Sequence, residues 1–225
     1  MATLVCDAGF MTNTTSTTDP RPSLAAAFDS VANVISQVRS EHLALVTPCA
    51  EMTVDELLSH LVMAGERISC AGRSIPLMEW PSNGPALELN EWAGRWKQIA
   101  EETTTAWTDD ALLDRQMTLP WGAFVGSSVV AVYTSEFLVH GWDLATTIGA
   151  TVEWDPTAIE VAMEEMHRQL PEPDRSPMWS AMAEMMPPGV PWEDPFANAT
   201  EVAADAAPIE RLVAWCGRDV TGTSA

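Results

Sequence analysis

Val129-Val-Ala-Val-Tyr-Thr-Ser-Glu-Phe-Leu-Val-His-Gly-Trp-Asp-Leu-Ala145 is apolar on almost every face of a helix. A helix of that kind belongs in the middle of a fold, surrounded by other helices. Three ionisable groups interrupt it: Glu136, His140 and Asp143. Glu136 and His140 are four residues apart, so their side chains lie one above the other, with Val129, Val132 and Tyr133 on or beside the same inward stripe. An unpaired carboxylate in such a place costs several kcal/mol and finds a partner or loses its charge. Few basic partners are near, since the closest arginines along the chain are Arg115 and Arg168.

The segments around this helix are helical as well. From Ser23 to Leu45, Leu24, Ala27, Phe28, Val31, Val34, Ile35 and Val38 recur at three- and four-residue steps, the spacing of one helix face. A second helix starts at Thr53, with Glu56 three residues on as in a capping box. Its apolar stripe is Leu57, Leu61, Ala64 and Ile68, and His60 falls on that face. A third helix covers 86–108, with Trp92, Trp96 and Ile99 facing in. The fourth runs over 127–148 and ends at Gly149, a C-cap glycine. Asp155-Pro156 opens a fifth that reaches Leu170, and a short last helix covers 207–216. Residues 75–85 and the proline-rich stretch 171–195 read as loops. Met117 to Phe124 reads as a short extended or hairpin segment. Helices dominate, so the expected fold is all-α, a four-helix bundle with a C-terminal extension.

Composition limits the function. The 225 residues carry 32 acids against 11 bases, a formal net charge of -21. That field repels nucleic acid and anionic membrane surfaces, and the ten arginines are scattered singly with Lys97 the only lysine, so no basic patch offsets it. No run reaches the roughly 18 apolar residues of a membrane span, and the N-terminus lacks a secretory pattern. The expected compartment is the cytoplasm. Cys6, Cys49, Cys70 and Cys216 show no CxxC spacing and read as reduced, buried thiols. Residues 1–19 read as a disordered polar tail, with Met11 an alternative start. The ten tryptophans and the methionines, including the Met178 to Met186 cluster, read as core or pocket wall. His42 and His167 lie at polar helix ends and read as surface residues.

A divalent cation resolves the conflict in the fourth helix. Imidazole and carboxylate are natural ligands of zinc, nickel or iron(II), and His60 is the best third ligand after Glu136 and His140. A carboxylate bonded to a core histidine is the competing explanation of the same pattern. Asp143, one turn beyond His140, is a candidate catalytic residue: it orients a ligand or binds substrate, or it caps Trp142 or a nearby backbone group.

Further motifs favour the metal. Thr47-Pro-Cys-Ala-Glu-Met-Thr-Val-Asp-Glu-Leu-Leu-Ser-His60-Leu-Val62 resembles the metal-binding segment of the DinB-like, mycothiol-dependent maleylpyruvate isomerase superfamily. Leu119-Pro-Trp-Gly122 and the Glu136-to-Ala145 stretch are similar too, and Pro208-Ile-Glu-Arg-Leu-Val-Ala-Trp-Cys-Gly-Arg-Asp219 resembles the tail of a single-domain subgroup known as metal-binding proteins. The resemblance implies one DinB-like domain over 20–225, a bundle at 20–150 with an extension at 151–225. It places the metal ligands at His60, Glu136 and His140, zinc first, with nickel or iron as alternatives. It also implies mycothiol as a cosubstrate, activated for S-transfer or isomerisation on a small electrophilic metabolite. The characterised isomerase has a further C-terminal domain that contributes to its active site. The residues after the fourth helix are too few for that domain, so maleylpyruvate isomerisation itself is not implied. A thiol-independent hydrolase or lyase and a non-catalytic metal- or small-molecule-binding protein are the alternatives. The expected partner is a small-molecule substrate, and the apolar surface of a helix bundle allows a homodimer.

Overall fold

The computed structural model describes residues 19–49, 52–119, 122–185, 194 and 196–221. The expected tail (apart from Asp19), Cys6, Met11, Trp121 and Met186 lie outside the described residues. Seven helices are described: α1 (Arg21–Ile35), α2 (Val54–Gly72), α3 (Trp92–Ala106), α4 (Gly126–Ile148), α5 (Pro156–Gln169), α6 (Ser176–Met185) and α7 (Pro208–Trp215). Among the described residues the fold is all-α apart from one antiparallel hairpin, β1 (Gln116–Leu119) with β2 (Gly122–Val125), which pairs Met117 with Phe124 and leads directly into α4.

α4 is the axis of the molecule. It packs against α1, α2, α5 and α7, while α2 and α1 each also pack on α3. Being surrounded explains why its sequence is apolar all round, and sixteen of its residues, from Gly126 to Ala145, are buried. It stops where the chain turns left-handed at Gly149 (φ +67°), a conformation that costs glycine nothing. The expected capping box on α2 is formed: Thr53 Oγ1 accepts from the Glu56 N–H at 3.3 Å, and the Thr53 N–H donates to Glu56 Oε2 at 2.8 Å. Every apolar position expected to face inward on α1, α2 and α3 is buried.

The structure corrects four expectations. α1 ends at Ile35 rather than Leu45: the Gln37 and Val38 N–H groups bond the Val34 and Ile35 carbonyls three residues back, and the imidazole of His42 then takes the Arg39 N–H at 3.2 Å in a tight turn at Ser40–His42. His42 is therefore buried, not a surface residue. α3 begins at Trp92 rather than Ala86, since the Glu91 carboxylate accepts the Glu88 N–H at 2.8 Å and holds a turn there. A helix, α6, stands inside the stretch expected to be a connector. Pro177 falls in its first turn, where a missing N–H costs nothing, and its Trp179 is buried. Two helices of the extension pack on the bundle or on each other, α5 on α4 and α1, α7 on α4 and α5.

Aromatic rings fill the bundle between α1, α3 and α4. Trp96 lies 4.9 Å from Phe28 and 5.2 Å from Phe137, centroid to centroid, and its Nε1 donates to the Phe28 carbonyl at 2.9 Å. Trp96→Ala is expected to lower unfolding free energy by about 3–5 kcal/mol. Trp96→Phe should cost less, about 1–2 kcal/mol, because the Phe28 carbonyl keeps its helical partner within α1 and only the indole hydrogen bond and some packing volume are lost. Urea denaturation monitored by circular dichroism measures both.

Candidate metal centre

α2 and α4 bring together the three side chains expected from the sequence. His60 Nε2 lies 2.8 Å from Glu136 Oε1, and His140 Nε2 lies 3.5 Å from the same oxygen. The two imidazole rings stand edge to face, 4.8 Å between centroids. One ligand atom from each residue lies within 4.8 Å of the others. The cluster has an inner and an outer side: the His140 and Asp143 side chains are 9% and 0% exposed, His60 and Glu136 24% and 29%. Its outer side therefore faces solvent along the α2–α4 seam.

Behind His140 lies a second layer, in which the local sequence marks Asp143 but not Arg218 or Cys49. Asp143 Oδ2 sits 3.0 Å from His140 Nδ1. Arg218, just beyond α7, donates to Asp143 through Nε and Nη2, both at 2.9 Å, the two-pronged geometry that suits guanidinium and carboxylate. Asp143 thus stands on the ring of His140 and not on the open side. An ionised Asp143 takes the Nδ1 proton of His140 into a hydrogen bond, so Nε2, toward Glu136, is the nitrogen that would ligate a cation once the cation displaces its proton. Cys49 is the other unforeseen neighbour, since its thiol forms a compact group with His140 and Asp143. Its position follows from the Thr47-Pro-Cys turn, where Thr47 Oγ1 accepts the Cys49 N–H at 3.2 Å.

The electrostatics follow from this packing. Burial opposes the charge of Glu136, but His140 and His60 outweigh it and hold the carboxyl well below the usual carboxylate range. Burial also opposes a charged His140, and Glu136, Asp143 and Cys49 outweigh it, so the imidazole holds its proton well above its usual value. Asp143 is likewise held low, against burial, by His140 and Arg218. Cys216 is buried nearby and its thiol is pushed up to about 12, chiefly by burial. Cys49, Cys70 and Cys216 are free and buried. His42 and His167 take no part: His42 is held by Arg39, and His167 is exposed and rests its ring against Trp215.

The donor set fits a divalent cation. Two imidazoles and a carboxylate are compatible ligands, and no arginine or lysine among the described residues pairs with Glu136. An orienting carboxylate on the far nitrogen of a histidine is a common companion of metal ligation.

The chain matches the family model of the mycothiol maleylpyruvate isomerase N-terminal domain over residues 24–145. It belongs to that family. The matched stretch spans α1 to α4, so this DinB-like domain contains His60, Glu136, His140 and Asp143, while Arg218 comes from the extension beyond it. Two uncharacterized proteins of Mycobacterium tuberculosis, one from strain CDC 1551 and one from strain H37Rv, are each 28% identical over 204 residues. Those alignments cover 90% of this chain and 99% of each relative, so the extension is shared with them. No solved structure matches at a significant level. No helix among the described residues is long and apolar enough to cross a membrane.

Asp143 and Arg218 form a buried pair, so removing either partner strands the other. Asp143→Asn and Arg218→Met are each expected to lower stability by about 3–5 kcal/mol. The double variant should lose less than the sum of the two. Denaturant midpoints of the four proteins give the coupling directly.

Proposed function

We propose that this protein is a divalent-metal-dependent enzyme that activates a low-molecular-weight thiol, mycothiol, for S-transfer or isomerisation on a small electrophilic metabolite in the cytoplasm. The observation that carries the reading is the convergence of His60, Glu136 and His140 on one point with a solvent-facing side. Membership in a family named for a mycothiol-dependent isomerase supports the thiol.

His60 Nε2, His140 Nε2 and a Glu136 oxygen would hold the ion, zinc being the best match to this donor set and nickel or iron(II) the alternatives. When bound, such a cation lowers the pKa of a thiol and polarises a carbonyl as a Lewis acid. The chain supplies the rest. Asp143 takes the His140 Nδ1 proton into a hydrogen bond, which keeps Nε2 free to ligate. Arg218 balances the charge of Asp143, so the helix core does not carry two uncompensated carboxylates. The ligands on the inner side are packed among apolar residues of α4, which excludes water there and leaves approach to small molecules along the α2–α4 seam.

Protein purified without added metal or chelator should contain about one transition-metal ion per chain, and His60→Ala and Glu136→Ala should each lose most of it. Elemental analysis decides the point, and unchanged content in both variants would refute the site. In a cobalt-substituted sample, mycothiol should alter the visible spectrum. A spectrum that no cellular thiol perturbs, with turnover of a substrate in the absence of thiol, would replace this reading by a hydrolase or lyase.

A further inference from the structure

The seam between α2 and α4 continues past the histidines. From Val129 to Ala145, α4 is buried everywhere except at Val132 and Glu136. On α2, between Leu57 and Gly72, the positions not buried are Ser59, His60, Glu66 and Arg67. Spacings of four and seven keep these positions on one stripe of each helix, so together they line a shallow groove. Arg67 lies nearly two turns beyond His60, about 10 Å along the axis. Helical side chains lean toward their own N-terminus, which directs Arg67 back along the groove toward His60.

One wall of the groove is the loop between α2 and α3. Arg67 Nε donates to the Pro81 carbonyl at 2.9 Å, and Ser59 Oγ donates to the Pro85 carbonyl at 2.8 Å. Gly84 lies so close that a Cβ there would sit 2.1 Å from the Ser59 carbonyl oxygen. The loop is thus fastened to α2 at both ends of the groove, and it holds the Arg67 guanidinium by one nitrogen only. No carboxylate among the described residues pairs with Arg67. Of the arginines without such a partner, it is the one on the stripe of His60.

Tyr133 lies one turn before Glu136 on α4 and is 4% exposed. Its hydroxyl has no hydrogen-bond partner among the described residues. Burial and the charge of Glu136 raise its pKa, while Arg67 acts in the opposite sense. The phenol therefore stays protonated, a donor with no acceptor among the described residues, one helical turn from Glu136 on the side of the seam toward Arg67.

We infer that the Arg67 guanidinium and the Tyr133 hydroxyl bind a carboxylate of a small anionic substrate whose other end reaches His60, Glu136 and His140. The inference rests on reading those three residues as the reacting centre. A carboxylate suits the two free guanidinium nitrogens, which present a planar fork. A doubly charged phosphate would meet stronger repulsion from a chain of net charge -21, and the planar fork gives it no advantage.

Succinate and its neutral diamide, succinamide, have the same shape and test the point by calorimetric titration. Wild type, Arg67→Met, Arg67→Lys and Tyr133→Phe are compared in zinc-loaded and metal-free form, with metal content measured in each and folding checked by circular dichroism. Wild type should prefer succinate to succinamide. Arg67→Met should weaken succinate by roughly tenfold or more and leave succinamide unchanged, Arg67→Lys should recover part of the loss, and Tyr133→Phe should lose a smaller factor. Equal succinate affinity in wild type and folded Arg67→Met overturns the inference. A loss confined to succinate that persists in protein unable to bind zinc upholds it while refuting the metal reading. Zinc binding without any effect of Arg67 does the reverse.

Discussion

A carboxylate in the middle of a buried helix sets the terms for everything around it. Glu136 stands on α4, which other helices enclose, and its charge has two imidazoles for company and no guanidinium or ammonium among the described residues. Taking a carboxylate from water into such surroundings is expensive unless opposite charge and hydrogen bonds replace the lost hydration. His60 supplies one such contact from α2 and His140 another from α4 itself. The helices must therefore pack so that residues 60 and 136 meet, and this contact fixes the register of α2 against α4. A dication at the same point would bring all three groups into one set of interactions, each ligand using the atom it already turns toward the others.

The second constraint is relayed outward. His140 would ligate a cation through Nε2 only with Nδ1 protonated, and Asp143 favours that arrangement through Nδ1. Asp143 in turn is fully buried and needs its own counter-charge, which arrives from Arg218, 75 positions later in the chain. The extension is thereby tied to the chemistry of the bundle rather than simply appended to it. Arg175 helps to hold that part in place: buried, it donates to the carbonyls of Ala197 and Trp215 and lies over the Trp215 ring. Removal of the extension would leave an uncompensated carboxylate next to the proposed ligand His140.

Much of this architecture was legible in the residues. Helical spacing identified the main bundle helices, and Thr53, Gly149 and Asp155 marked ends because capping is local chemistry. His60, Glu136 and His140 stood out because polar groups in an apolar stripe need a reason. What escaped has a common cause, namely contacts between residues far apart in sequence or side chains that interrupt a regular pattern. Arg218 pairs with Asp143 across a distance that no periodicity encodes. His42 looked like a surface residue because nothing local shows that Arg39 bends the chain around it. Proline near Ser176 suggested a break, although a first helical turn accepts proline without loss. The Thr47-Pro-Cys turn was visible as a motif, but not that it sets Cys49 against His140.

X-ray absorption at the zinc edge, on zinc-loaded protein without added thiol, reads the ligands of the ion themselves. With His60, Glu136 and His140 as ligands, the zinc should show nitrogen and oxygen neighbours at roughly 2.0–2.1 Å with the outer-shell signature of two imidazoles. One imidazole should be lost in His60→Ala. A sulfur scatterer at roughly 2.3 Å, placing Cys49 among the ligands, would contradict that ligand set. So would a spectrum in which no zinc is held by histidine.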